Sequence, residues 1–399
     1  MMKSFKSLCL CSLMVILTLS GCIEEYDADL PENESELLVV DGTIQVGYSV
    51  FTLTRTLPLK TYEEAERVRF AEVSIHGSDG SYIQAENWGG GSYCCYVYDL
   101  NPNVKYSLHI KDGIDTYETE PQFPISTEEI MEVVGVQNTP KDNIDVLITT
   151  EPSSDSKKET YYKWEVYETW EVRPDLVSTM YYDEEKDMAV YKLNQYPDRG
   201  WKDSIRSEGI MGSGSKYVGQ QIKRFKIYDI DRSNKRLYYM YSGLVRQRAI
   251  SKEEYEYELA CLQAGTQMGG LFAPLPSSLP TNIRCTSSSK RAIGYVGCSV
   301  NTTSARFFLD RKDYDIKQIK KNELLEIKNP TPPLCHDMID KGWGLYRWSE
   351  DKSTGDVKSI WARVMDLDVR WDGAYTEMPY FWPGYMDYMD DINEYNDGE

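Results

Sequence analysis

Leu100-Asn101-Pro102-Asn103-Val104-Lys105-Tyr106-Ser107-Leu108-His109-Ile110 runs from a proline-bearing turn into a segment whose apolar residues, Tyr106, Leu108 and Ile110, fall at every second position. Period two marks a half-buried strand, because successive side chains of an extended chain point to opposite faces. Upstream, the alternation recurs at Leu38, Val40 and Ile44, at Phe51 and Leu53, and at Ala71, Val73 and Ile75. Turn residues separate these runs at Gly47, Ser78-Asp79-Gly80, Gly89-Gly90-Gly91 and Lys111-Asp112-Gly113. About seven short strands in roughly 90 residues predict a small sandwich over 37–125.

Within the opening stretch, Leu100-Asn101-Pro102 followed by Tyr106 resembles the tyrosine corner of immunoglobulin-like domains, where the ring packs at a sheet corner and its hydroxyl bonds nearby backbone. The expected fold class is mainly β. An N-terminal immunoglobulin- or transthyretin-like sandwich precedes a larger β-rich domain over 126–399 with one or two short helices. In that second part, Asp145–Thr150 and Tyr161–Val172 read as strands, the latter with Tyr162, Trp164, Val166, Trp170 and Val172 on one side. Leu237–Ile250 reads as another strand. It runs into Ser251-Lys252-Glu253-Glu254, a capping box in which hydroxyl and carboxylate each satisfy a free backbone N–H at a helix start. The helix is expected to last to about Ala264, with Tyr255, Leu259 and Leu262 as its apolar, core-facing stripe. Gly269-Gly270-Leu271-Phe272-Ala273-Pro274-Leu275-Pro276 is expected to form a rigid loop.

The N-terminus has the three zones of a secretory signal. Lys3 and Lys6 are followed by an apolar run, Leu8 to Leu19, shorter than the roughly 20 residues that a spanning helix needs. The run ends in Leu19-Ser20-Gly21-Cys22, which resembles the bacterial lipobox. The expectation is a signal peptide over 1–21, lipidation of Cys22 and a lipid-anchored protein, since two or three acyl chains hold a membrane almost irreversibly. Residues 22–36 read as an acidic tether. Its start, Ile23-Glu24-Glu25-Tyr26-Asp27, also resembles the surface-export signal of Bacteroidota lipoproteins. The expected location is the outer membrane, exposed at the cell surface, with a periplasm-facing orientation as the alternative.

Composition narrows the partners. The formal charge is −20, and removal of Lys3 and Lys6 with the signal makes it about −22. Such a surface repels phosphate backbones, so nucleic acid is not an expected partner. Aromatic usage favours rings with a polar handle, 31 Tyr and 9 Trp against 9 Phe, as at strand faces, interfaces and sugar-stacking platforms. Beyond Cys9, Cys11 and Cys22, six cysteines remain: Cys94, Cys95, Cys261, Cys285, Cys298 and Cys335. In an oxidising envelope these allow about fifteen pairings, of which Cys285 with Cys298, flanking a hairpin-like segment, is the candidate disulfide. Without a Cys-x-x-Cys pair, thioredoxin-type chemistry and zinc-ribbon spacing are absent.

Motifs in order along the chain resemble a Bacteroidota outer-membrane lipoprotein family known as domain of unknown function 4249 (DUF4249). They are the lipobox, Leu38-Val39-Val40-Asp41-Gly42, Tyr161-Tyr162, Tyr241 to Gln247, the helix from Ser251, Gly269-Gly270-Leu271-Phe272, Pro280-Thr281-Asn282-Ile283 and Gly294-Tyr295-Val296-Gly297. Where that family often carries Cys-x-Asp-Cys after a proline pair, Pro332-Pro333-Leu334-Cys335-His336-Asp337-Met338 keeps only the first cysteine. The resemblance implies an outer-membrane lipoprotein, commonly encoded beside a TonB-dependent receptor, and it supplies no catalytic residue.

The residues themselves point away from catalysis. Three histidines are present, His76, His109 and His336, none in a His-Glu-x-x-His helix. Cys335-His336-Asp337 has the residue types of a nucleophilic triad, but contiguous side chains diverge where a triad must converge. Gly212-Ser213-Gly214-Ser215-Lys216 lacks Walker spacing and reads as a flexible connection. Asp229 to Asn234 begins like a calcium loop, yet its twelfth position is Met240 rather than glutamate, so a turn between strands is expected. Asp366 and Asp368 are expected on one face of a strand, with Asp372 nearby. No cofactor and no metal site is expected.

The segment chosen for partner or ligand contact is C-terminal: Trp371, Tyr375, Tyr380, Phe381, Trp382 and Tyr385, with Tyr388 beyond, stiffened by Pro379 and Pro383. An aromatic strap closing a core is the competing role. Asp203-Ser204-Ile205 resembles the O-glycosylation motif of exported Bacteroidota proteins, making Ser204 the candidate acceptor. The expected function is a non-catalytic binding or accessory role beside a TonB-dependent receptor in nutrient uptake. The alternatives are an extracytoplasmic glycan or peptide hydrolase and a structural adhesin.

Overall fold

The computed structural model describes residues 37–387 apart from 57–64, 154–158, 193–194, 217–220, 267–278 and 320–321. Cys22, the signal and tether, the loop expected at Gly269–Pro276 and Tyr388 lie outside the described residues.

The first module is built from β1 (Leu38–Gln45), β2 (Gly47–Arg55), β3 (Glu72–Gly77), β4 (Tyr82–Gln84), β5 (Glu86–Gly89), β6 (Ser92–Val97), β7 (Tyr106–Asp112) and β8 (Asp115–Thr119). They form two sheets, β1-β2-β6-β5 and β8-β7-β3-β4. The period-two residues point inward as expected: Leu38, Val40, Ile44, Phe51 and Leu53 share one core with Val73, Ile75, Leu108, Ile110 and Tyr117. Each such burial stabilises the fold by about 1.5–3 kcal/mol relative to an exposed side chain. The tyrosine corner is formed. Buried Tyr106 accepts a hydrogen bond on its hydroxyl from the Asn101 backbone N–H at 3.0 Å.

The chain continues through β9 (Ile130–Val136), β10 (Ile144–Thr150), β11 (Tyr161–Val172), the hairpin β12 (Met180–Asp183) and β13 (Met188–Tyr191), β14 (Gly200–Ser213), β15 (Phe225–Ile230) and β16 (Met240–Ile250). Helix α1 (Lys252–Thr266) follows, and then β17 (Ile283–Cys285), β18 (Ala292–Gly294), β19 (Gly297–Ser299) and β20 (Thr303–Asp310). Sheets β14-β11-β16-β20 and β15-β10-β9 enclose a second core that includes Val146, Tyr162, Trp164, Val166, Tyr241 and Val245.

Residues 283–299 correct the expected boundary at 125/126, because they complete the first sandwich. Strands β18 and β19 pair in parallel with β1, and β17 pairs with β8. Ile283, Ala292, Val296 and Cys298 enter the first core. The Pro280–Ile283 and Gly294–Gly297 motifs clamp this return. Asn282 donates to the Val296 carbonyl at 2.9 Å and accepts from its N–H at 3.0 Å, and the Thr281 hydroxyl donates to the Gly294 carbonyl at 2.7 Å. Strands of three residues carry no alternation to read, and parallel pairing is necessarily non-local.

The C-terminal part adds β21 (Leu324–Lys328), α2 (Pro332–Asp340), β22 (Trp343–Glu350), β23 (Val357–Arg363) and the short helix α3 (Val364–Leu367). Sheet β21-β23-β22 packs with α2 and Tyr182 of the β12–β13 hairpin around Cys335, Met338, Trp343, Leu345 and Trp361. Asp366 lies in α3 and Asp368 just after it, so the expected strand is absent there; Asp368 instead holds Arg370 at 2.7 Å. No helix among the described residues is long and apolar enough to cross a membrane.

Two features of α1 depart from expectation. The Ser251 hydroxyl caps the Glu254 N–H at 3.0 Å, but the Glu254 carboxylate binds Arg248 at 2.6 Å instead of closing the box. Its buried side is correspondingly polar, with Glu254 on Arg248 and Glu258 on Lys163, while Leu259 of the expected stripe is exposed.

Candidate functional site

The hairpin β1–β2 faces β11 and β16 of the second sandwich across a cleft of about 240 Å³. Asp41, Thr43, Gln45, Tyr48 and Val50 line one wall, and Lys163, Glu165, Arg246 and Arg248 line the other. Backbone geometry shapes the first wall. Gly42 has φ +154°, and a Cβ there would come within 2.6 Å of the Val50 carbonyl oxygen, so a side chain would strain the strand pair. The Gln45 side-chain amide donates to the Tyr48 carbonyl at 2.8 Å, fixing the turn that presents Tyr48.

Charges in the cleft are of both signs. Arg248 is largely buried; burial disfavours its charge, and adjacent Glu254 outweighs this and holds its pKa above the usual arginine value. Lys163 pairs with Glu258, and Glu165 accepts from the Tyr167 hydroxyl at 3.2 Å. Among the described residues, the side chains of Asp41 and Arg246 make no hydrogen bond or ion pair, although both line the cleft.

Tyr48 is also the first rung of an aromatic ladder on the outer face of the sheet. Strand register sets Tyr48 opposite Tyr96, with ring centroids 5.1 Å apart and nearly perpendicular. Trp88 approaches Tyr48 at 6.1 Å, and Tyr98 approaches Tyr96 at 4.9 Å. These rings tilt by 55° to 81° instead of stacking face to face. Their exposures are high for aromatics: 61% for Tyr48, 59% for Trp88, 48% for Tyr96 and 88% for Tyr98. An alternating strand has only one inward face, so β2 and β6 bury Phe51 and Val97 while leaving these rings wet.

The C-terminal aromatics divide between the two roles considered for them. Trp382 is buried with Trp201 and Met378, and Phe381 and Tyr385 pack against that cluster. Tyr375 is partly exposed and donates to Asp203 at 3.2 Å. Trp371 and Tyr380 are the most exposed members. The structure does not gather the six into one surface patch, because the strap needs half of them.

Cys285 and Cys298 are free thiols, which corrects the expected bridge. Cys285 sits on β17 in one sheet beside Ser287 and Ser288, and Cys298 sits on β19 against β1 in the other. Hydrogen bonds from Ser287 and Ser288 hold the Cys285 thiol below its usual pKa against the opposing effect of burial, whereas burial pushes Cys298 up to about 12. Ser204 lies on edge strand β14, opposite Glu168. Cys335 and His336 diverge on α2: the thiol enters a core, and the imidazole meets Asp187 at 2.8 Å.

Comparison with known proteins gives one family. The model described as Domain of unknown function (DUF4249) matches residues 23–305, which takes in the first sandwich, its returning strands and most of the second. No curated protein matches the chain. Among solved structures, the crystal structure of a Salmonella alpha-2-macroglobulin mutant is similar at 10% identity and TM-score 0.18, covering 86% of this chain. The chain spans 21% of that protein's length.

Proposed function

The chain belongs to the family described as Domain of unknown function (DUF4249), and from that premise we propose a lipid-anchored outer-membrane lipoprotein. In this reading it binds a ligand without transforming it and assists a TonB-dependent receptor in nutrient uptake. The lipobox ending at Cys22 and the acidic residues after it support the anchor and the surface location. The observation that carries the binding role is the ladder of solvent-facing rings meeting a charged cleft at Tyr48. Wet rings fixed by strand register lose little entropy when a ligand covers them.

The test is affinity purification of the tagged full chain after gentle detergent extraction from its native envelope. Recovery of a stoichiometric β-barrel receptor is the expected result. A monomer recovered without one, or a Cys22→Ala variant that stays with the membrane fraction, contradicts the reading. Cleavage of a bound ligand contradicts its non-catalytic part.

A further inference from the structure

We propose that the cleft and the ladder form one binding site for a neutral oligosaccharide. The inference rests on the binding role above and names the ligand class. A sugar ring has an apolar C–H face, which packs on an aromatic ring, and an edge of hydroxyls, each both donor and acceptor. Tyr48 belongs to both halves of the site, so a sugar lying on it turns its hydroxyl edge toward the cleft. There Asp41 offers an acceptor and Arg246 a fork of donors, and neither side chain is engaged among the described residues. Planar groups of this kind bind adjacent hydroxyls in pairs.

Charge selects a neutral ligand over an acidic one. The chain carries −20, and in the cleft the cations Lys163 and Arg248 are already paired with Glu258 and Glu254. Arg246 then stands against Asp41 and Glu165, leaving no excess of positive charge for a carboxylate or sulfate. Extent points to more than one sugar. The cleft is below the usual drug-sized pocket of roughly 300 Å³ and suits one sugar residue, while Tyr96, Tyr98 and Trp88 extend the platform outward.

The experiment titrates the detergent-solubilised full chain by calorimetry with neutral hexasaccharides (malto-, cello-, manno- and xylohexaose) and with oligogalacturonate and a heparin hexasaccharide. Binding of at least one neutral member is expected, with Tyr48→Ala and Trp88→Ala weakening it at least tenfold and Arg246→Ala at least fivefold. Tyr48→Phe keeps the ring and is expected to retain most of the affinity, while Trp371→Ala has no effect. Circular dichroism melting confirms that each variant is folded. The inference is overturned if no neutral member binds, if only the acidic ones bind, or if binding survives Tyr48→Ala intact. Loss of receptor capture in Tyr48→Ala without any glycan binding assigns the face to protein contact and also overturns it. Receptor capture by the unaltered chain, measured separately, tells failure of this inference from failure of the accessory role.

Discussion

The Tyr241 hydroxyl donates to the Glu168 carboxylate at 2.8 Å, and both side chains are buried in the second sandwich. Arg206 reaches the same carboxylate at 3.2 Å, Arg236 binds its other oxygen, and the Tyr228 hydroxyl lies 2.8 Å from that of Tyr241. Glu168 therefore joins β11 to β14, β16 and the turn before β16. Glu168→Ala strands two guanidiniums and a hydroxyl, and the expected loss is about 3–5 kcal/mol. Urea denaturation followed by circular dichroism reads it; a loss under about 1 kcal/mol would show the network to be dispensable.

Asn282→Ala tests whether residues 283–299 are integral to the first sandwich. The substitution leaves the Val296 N–H without its buried partner, at about 1–3 kcal/mol, while the Val296 carbonyl keeps the Gln122 amide as a donor. The expected result is a lower unfolding midpoint together with faster amide exchange at β1, whose parallel partners are β18 and β19. Unchanged exchange at β1 would mean that the return is peripheral.

His109 gives the first sandwich a pH dependence. Its ring stacks on His76 with centroids 3.8 Å apart. Burial, and then the charge of His76, hold its pKa below the usual imidazole value, while Glu118 pulls the other way. A depressed folded pKa means that this contribution is full above the unfolded value of about 6.5 and is lost as pH falls toward the folded one. The melting temperature of the unaltered chain is expected to fall over that window, and His109→Gln to flatten the fall. An equal slope in both proteins would remove His109 as its cause.

The C-terminal aromatics should separate by role. Trp382 packs in a T-shape against Trp201 with centroids 6.2 Å apart, so Trp382→Ala is expected to lose about 3–5 kcal/mol. Trp371 is exposed, and Trp371→Ala should stay within about 0.5 kcal/mol of the unaltered chain. Equal losses in the two variants would contradict the division.

Strands that bury one face were legible in the sequence, since Leu38 and Val40, Tyr106 and Leu108, and Tyr162, Trp164 and Val166 alternate with less buried neighbours or face one core as a half-buried strand must. Glu168 escaped because a carboxylate interrupts the apolar row of Tyr162, Trp164, Val166 and Trp170, and its partners Arg206, Arg236 and Tyr241, which let that position stay inward, are remote in sequence. The same logic hid the polar underside of α1. The aromatic ladder is assembled by register from residues up to fifty positions apart, Tyr48 to Tyr98, whereas Trp371 to Tyr385 drew notice by local density. Density there reflects the strap around Trp382. Tyr96 and Tyr98 flanking the inward Val97 were the available signal, two solvent-facing rings at the end of β6.

Fluorine NMR of the full chain carrying 5-fluorotryptophan, titrated with the neutral hexasaccharide that calorimetry ranks first, reads the binding surface residue by residue. The Trp88 resonance, assigned by Trp88→Phe, is expected to shift in a saturable manner, while those of buried Trp201 and Trp361 and of exposed Trp371 stay in place. A stationary Trp88 with a moving Trp371 would refute the ladder as the binding surface and return the contact to the C-terminal segment.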